Sequence, residues 1–268
     1  MSSRAELKRR AKTLLKGKSG MLALNYILWM VIAIALGFLD WYGKIATLII
    51  TPVVSYGLVK ACADVRNTEE HVGAFDFLTK GFAHFLKAWL VPFFTGIRMW
   101  GPILVDVVAI VLMFSGLKLY IDPEFSLTVN TLFWVGLAIL VVGSIWSILL
   151  SYKYMCVYYE FAMEPSKSSW DIVKDSGKKM VGHRWQAFVL SLSFIGWFLL
   201  SMIGWFLFGM IGWFLFDMIG WFPLSMIGLG IPLLWVIPYM NVTFTLFYEE
   251  VSGRKSENTT EQVAAIQQ

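Results

Sequence analysis

The sequence predicts an all-α, polytopic bundle of transmembrane helices, about six spans in all, flanked by amphipathic interfacial helices. Three observations predict it. Hydrophobic residues make up 58% of the 268 positions and charged residues 15%, against about 45–50% and about 25% in soluble globular chains. The apolar residues gather into runs of bilayer-crossing length, about 18 or more. The charges fall between those runs, with cations in excess at the N-terminus and again around 167–184, on the same side of the alternating topology.

Residues 1–20 form a first segment, "MSSRAELKRRAKTLLKGKSG". Ser3 and Glu6 have capping-box spacing, and Leu7, Ala11, Leu14 and Leu15 recur with helical period, which predicts a basic amphipathic helix along the membrane surface. Its cations place the N-terminus on the cytoplasmic face of the cell membrane, with anionic lipid as a partner.

Residues 21–251 form the transmembrane domain. The first span runs from about Met21 to Leu39, and Trp41 and Tyr42 suit an outer interface. The second returns from about Ile45 to Ala63, with Pro52 and Gly57 tolerated because neighbouring helices can re-satisfy freed backbone groups. Phe75, Leu78, Phe82, Phe85 and Leu86 predict a second interfacial helix. The third span covers most of Met99–Leu117, and the fourth about Leu132–Leu150. A capped surface helix follows, with Ser168 or Ser169 as N-cap and its end near Gly182. Ala187–Tyr248 is apolar almost throughout, enough for two long spans or three short ones, and two give six crossings with both termini inside. Residues 252–268 are a polar tail.

No catalytic constellation appears: there is no HExxH, GxSxG, Walker glycine loop or CxxC pair. The expectation is a protein without catalytic residues, cofactor or metal. Cys62 and Cys156 read as core thiols, and His71 and His84 as surface histidines. Asp106 lies within the third span, where a carboxylate is costly and so is a candidate for function; Asp217 in the last apolar region is a weaker one. Asn25, Asn241, Thr243 and Thr245 are candidates for helix-to-helix hydrogen bonds. Two functional readings follow. One is a non-enzymatic envelope or partner-organising membrane component, with lipid and membrane proteins but not nucleic acid as partners. The alternative is a small-solute transporter or channel using Asp106.

"SSWDIVKDSGKKMVGHRWQAFVLSLSFIGW" followed by "IGLGIPLLWVIPYMNVTFTLFYEEV" resembles the bacterial integral membrane family named domain of unknown function nine-seven-five. The positions that carry the resemblance are Ser176, Gly182, His183, Ser193, Gly196, Trp197, Gly228, Trp235, Pro238, Tyr239, Tyr248 and Glu249, with "RAELKRRAKTLLKGKSG" resembling the family's opening. The resemblance implies a helical membrane protein with no assigned reaction.

The chain departs from that pattern between Trp197 and Gly228, where an octapeptide is written four times over residues 195–226 and adds about three octads. Eight residues turn a helix by about 800°, so successive Trp197, Trp205, Trp213 and Trp221 are rotated roughly 80° and lie at four depths. The repeat therefore reads as apolar, helix-compatible expansion rather than a one-faced zipper.

Overall fold

The computed structural model describes residues 2–66, 71–119 and 126–253. Among the described residues there are helices and no strand: α1 (Arg4–Leu15), α2 (Ser19–Gly37), α3 (Asp40–Asp64), α4 (Asp76–Phe82), α5 (Phe85–Leu119), α6 (Ser126–Tyr154), α7 (Val157–Met163), α8 (Ser169–Lys179), α9 (Arg184–Leu192) and α10 (Ile195–Ser252). Among the described residues, five stretches are long and apolar enough to cross a membrane: Ser19–Gly37, Asp40–Asp64, Phe85–Gly116, Thr131–Met163 and Arg184–Ile211. Most of each is left uncovered by the protein, α3 being the most buried of them, as expected where acyl chains cover the outer faces.

Ser3 caps α1, its Oγ accepting the Glu6 N–H at 3.2 Å, and Arg9 and Arg10 hold the Glu6 carboxylate. Leu7, Ala11 and Leu15 form the expected apolar stripe. They do not face lipid. The stripe is buried against Leu22, Ala61, Val236 and Phe244, so α1 is a docked helix rather than a surface float. Its Arg4, Arg9, Lys12 and Lys16 stay on the exposed side.

The α2–α3 turn is tight. Asp40 takes φ 47°, a conformation that Asp tolerates better than most side chains, and a Cβ on Gly43 would stand 1.7 Å from the Leu36 carbonyl oxygen. Trp41 and Tyr42 are exposed. Further down, a Cβ on Gly57 would lie 1.9 Å from the Phe77 carbonyl oxygen, so α4 lies directly on α3. Phe77 is fully buried there, while Phe75, Phe82, Phe85 and Leu86 of the expected interfacial face point outward.

The first turns of α5 belong to the same end of the bundle as the α7–α8 connection. Lys87 Nζ donates to the Pro165 carbonyl at 2.7 Å, and the Arg98 guanidinium sits 4.3 Å above the Trp170 ring. The apolar stretch long enough to cross begins earlier than the expected Met99, at Phe85, and Trp89 Nε1 already donates to the Ile49 carbonyl within α3. Further along, α5 and α6 pack as an antiparallel pair. Gly136 admits the Ala109 carbonyl and Gly143 admits the Asp106 carboxylate, at 2.9 and 2.2 Å from where a Cβ would be. Small residues at such contacts let membrane helices approach closely.

α10 departs from the expectation of separate final spans, since its 58 residues are helical throughout. The backbone stays helical through Asp217 and Pro223. A straight helix of that length would measure about 87 Å, far beyond a hydrocarbon core of about 30 Å. Yet the Phe194 ring, at its N-cap, packs 5.5 Å from the ring of Tyr239, where straight geometry would separate them by roughly 68 Å. The element therefore bends back on itself. Each leg has about 22 residues, about 33 Å, enough for one crossing. Glycine in every octad, together with Pro223, is the composition at which helices bend sharply. Ser201 and Gly209, equivalent positions in successive octads, are both buried, so the repeat directs its small position inward in these two copies. The side chains of 212, 213 and 215–232, Asp217 among them, and the tail from residue 254 lie outside the described residues.

Candidate functional site

The polar groups of the bundle concentrate at the end where α1, α7, α8 and both feet of α10 meet. At its centre is Glu160 on α7, fully buried. Isolated, its carboxylate would be strongly disfavoured there. Lys179 Nζ donates to both carboxylate oxygens at 2.9 Å, Lys167 Nζ approaches one at 3.3 Å, and Tyr248 OH donates to the other at 2.9 Å. Lys179 reaches Glu160 from α8, whose N-cap is Ser168 and whose end is closed by Gly182 at φ +86°. Ser176, one turn before Lys179, is fully buried on the Tyr248 side. Lys167 is shared with Asp175 at 2.9 Å. That hydrogen bond holds the Asp175 carboxyl below its ordinary range and, in return, raises the Lys167 ammonium.

A second pair lies next to the first along α10, where Glu249 takes the Arg66 guanidinium from the end of α3. Adjacent helix positions point about 100° apart. Tyr248 and Glu249 consequently tie one foot of α10 to two different helices. Nearby, Asp64 accepts Lys60 and Lys80, each at 2.8 Å, which fastens α4 to α3.

The two feet of α10 are clamped by α1. Lys8 Nζ donates to the Ser193 carbonyl at 2.8 Å and sits 4.2 Å above the Phe194 ring, while Tyr239 OH donates to the Lys8 carbonyl at 3.2 Å. Partial burial, with Arg4 close by, lowers the Lys8 ammonium. Deeper in the bundle two asparagines make the expected interhelical bonds. Asn25 Nδ2 donates to the Gly73 carbonyl at 2.8 Å and its Oδ1 accepts the Phe77 N–H at 3.1 Å. Asn241 Oδ1 accepts Tyr159 OH at 2.7 Å, and its Nδ2 donates to Tyr26 OH at 2.8 Å. Thr243 and Thr245 instead bond back to the Tyr239 and Asn241 carbonyls of their own helix, a local option always within reach of a helical hydroxyl.

Away from this end, Ser147 Oγ donates to Asp106 Oδ2 at 2.8 Å across the α5–α6 contact. Asp106 Oδ1 is shielded against Gly143 and bonds to no described residue. Arg98, eight residues earlier, is engaged by Trp170 and Tyr154 instead. Cys62 and Cys156 are free and buried. His84 stands half-buried with its ring 6.0 Å from those of Tyr56 and Phe161, so it is not a plain surface histidine. Among the described residues no group of His, Cys, Asp and Glu has the arrangement to hold a metal ion.

Residues 1–255 match the family described as Protein of unknown function (DUF975). This chain belongs to that family. No curated protein and no solved structure matches it.

The DUF975 positions recognised in the sequence fall into groups. Tyr248 bonds to Glu160 and Ser176 is buried on the Tyr248 side, Glu249 takes Arg66, and Ser193 and Tyr239 hold Lys8. Gly182 closes α8, and His183 Nδ1 lies 3.1 Å from Gln186 Oε1. Trp197 and Trp235 face outward, Pro238 is buried, and open space surrounds the Gly196 Cα. Gly228 falls where side chains are not described. Sequence reasoning missed Glu160, Arg66 and Lys8, the partners of these positions. Glu160 alone carried a signal, as a lone acid in the apolar stretch "VYYEFAM".

Proposed function

We propose that this DUF975 chain is a non-enzymatic, multi-pass component of the bacterial cell membrane, with its N-terminus in the cytoplasm, whose cationic end engages anionic headgroups and partner proteins. The observation that carries the reading is the docking of α1. Because Leu7, Ala11 and Leu15 are buried in the bundle, Arg4, Arg9, Lys12 and Lys16 are held outward on a fixed helix. Lys174 and Lys178 extend the exposed charge on α8. Each basic residue near an anionic surface contributes about 1 kcal/mol. The acidic groups at this end, Glu160, Asp64 and Glu249, are each engaged in an ion pair with a residue of another segment, Lys179, Lys80 and Arg66.

The test is retention of phosphatidylglycerol by the purified protein in native mass spectrometry, comparing wild type with the R4A/R9A/K12A/K16A variant. Loss of most bound anionic lipid in the variant supports the reading, and equal retention overturns it. A reporter fused at residue 268 should read cytoplasmic. The unpartnered Asp106 oxygen favours a second reading, in which the α5–α6 pair carries a proton or small solute. Proton-coupled uptake in vesicles that D106N abolishes would establish that reading in place of the first.

A further inference from the structure

A groove of about 660 Å³ lies between the end of α2, the first half of α3 and the start of α5, lined among others by Gly37, Lys44, Thr47, Pro52, Trp89 and Phe93. Its size is that of a small-molecule site. The flanking Leu48 and Phe93 are exposed, and both belong to stretches that cross or border the membrane, so the groove opens sideways toward lipid. Its polar atoms are mostly engaged within the protein. Thr51 Oγ1 donates to the Thr47 carbonyl of its own helix, and Trp89 Nε1 donates to the Ile49 carbonyl at 2.9 Å. The indole thus offers its ring, not its N–H.

Lys44 is the exception. Among the described residues it is the one charged group lining the groove, it lies one turn inside the α3 N-terminus beside the exposed Trp41 and Tyr42, and no described residue bonds to or pairs with it. An ammonium at that depth is stable at the headgroup level, where an anion can meet it. Below it the groove follows α3 for two turns, about 12 Å, between surfaces that are mainly apolar. An anion above an apolar slot is the shape of one kind of ligand.

We propose that this groove holds one acyl chain of an anionic phospholipid from the leaflet at the end of the bundle away from α1, with the lipid phosphate on Lys44 and the chain against Trp89 and Phe93. The site is separate from the cationic face of α1, and it stands or falls independently of the function proposed above. Gly43 and the tight Leu36 contact hold α2 and α3 together at the turn, which leaves the opening below it fixed rather than collapsible.

The test uses the full chain in nanodiscs containing phosphatidylglycerol or phosphatidylcholine that carries a photoreactive diazirine on one acyl chain, with adducts mapped by mass spectrometry. The expected result is labelling of 47–52 and 89–93 about fivefold stronger with phosphatidylglycerol, the ratio that one lysine at the surface supplies. K44A should lower this labelling to the phosphatidylcholine level, K44R should keep it, and T47W should block labelling of the groove by either lipid. Because Lys44 is exposed, K44A and K44R leave the packing intact and remain informative even if T47W does not fold. Equal labelling by the two lipids, indifference to K44A, or adducts spread evenly over α5 and α6 overturns the proposal.

Discussion

Phe194 and Tyr239 pack edge to face at 5.5 Å although 45 positions separate them, one at the N-cap of α10 and the other within it. Lys8 is bonded to the residues on both sides of this contact. The octapeptide expansion is therefore closed at its base, and its added length goes into two legs of one bent element.

An intramolecular cross-link tests that closure. The S193C/Y239C variant, treated with a short bifunctional thiol reagent in membranes, should give a cross-linked monomer with altered gel mobility. A straight α10 would hold the two thiols roughly 70 Å apart, and no reagent of that kind would join them.

Removing Lys179 should destabilise the bundle strongly. K179A leaves the buried Glu160 with fewer partners, and breaking a buried pair from one side costs about 3–5 kcal/mol. The double variant K179M/E160Q should recover much of this, because the stranded charge is gone too. Thermal unfolding in detergent measures both; equal Tm losses in the single and double variants would refute the account.

Acid should weaken the α7–α8 junction in a way set by Asp175. Its carboxyl is held low by the Lys167 hydrogen bond, so its stabilisation is present above the unfolded value of about 3.9 and is lost as pH falls through the lower folded value. Lys167, raised by the same bond, contributes fully below the unfolded value of about 10.4 and loses its contribution as pH rises through the folded one. Both side chains are about a third exposed, so solvent screening keeps the effect below about 1 kcal/mol. Stability of D175N, followed from pH 6 to 3, should show a shallower acid loss than wild type.

Gly57 and Gly143 should differ in their tolerance of alanine. At Gly57 the new methyl meets the Phe77 backbone, which cannot move without shifting α4, and an overpacking cost of about 1–3 kcal/mol or more is expected. At Gly143 the nearest atom belongs to the Asp106 side chain, which can rotate away. Tm measurements should therefore rank G57A well below G143A.

D106N should keep the α5–α6 pair folded, since an asparagine oxygen can still accept from Ser147. Under the proposed function proton flux into vesicles is the same for both forms, with Tm changed by only a few degrees. A flux present in wild type and absent in D106N contradicts it.

Much of this architecture was legible in the residues. Composition and run length gave the helical membrane bundle, Ser3 and Glu6 gave the start of α1, and Asn25 and Asn241 were legible as interhelical bonds because amides in apolar helices have few other partners. Other features were not. The stripe of Leu7, Ala11 and Leu15 looks the same whether lipid or protein covers it, and no local pattern separates the two. Thr243 and Thr245 resemble Asn241 in sequence, but their hydroxyls reach a carbonyl of their own helix. The face of Phe75, Phe82 and Phe85 was visible as a period, whereas the burial of Phe77 depended on a glycine 20 positions earlier.

The sequence by itself determined solvent and secondary structure: chain apolarity selects the bilayer, and in a bilayer the helix satisfies every backbone group locally. Only the tertiary structure decided which helices touch, that α1 docks and clamps both feet of α10, and that Glu160 rather than a residue singled out in advance is the hub of the charged end. The physical reason is range. Hydropathy and helical hydrogen bonding act over a few neighbouring residues and can be read in order, whereas an ion pair between Lys179 and Glu160 or a ring contact between Phe194 and Tyr239 exists only after distant segments have been brought together.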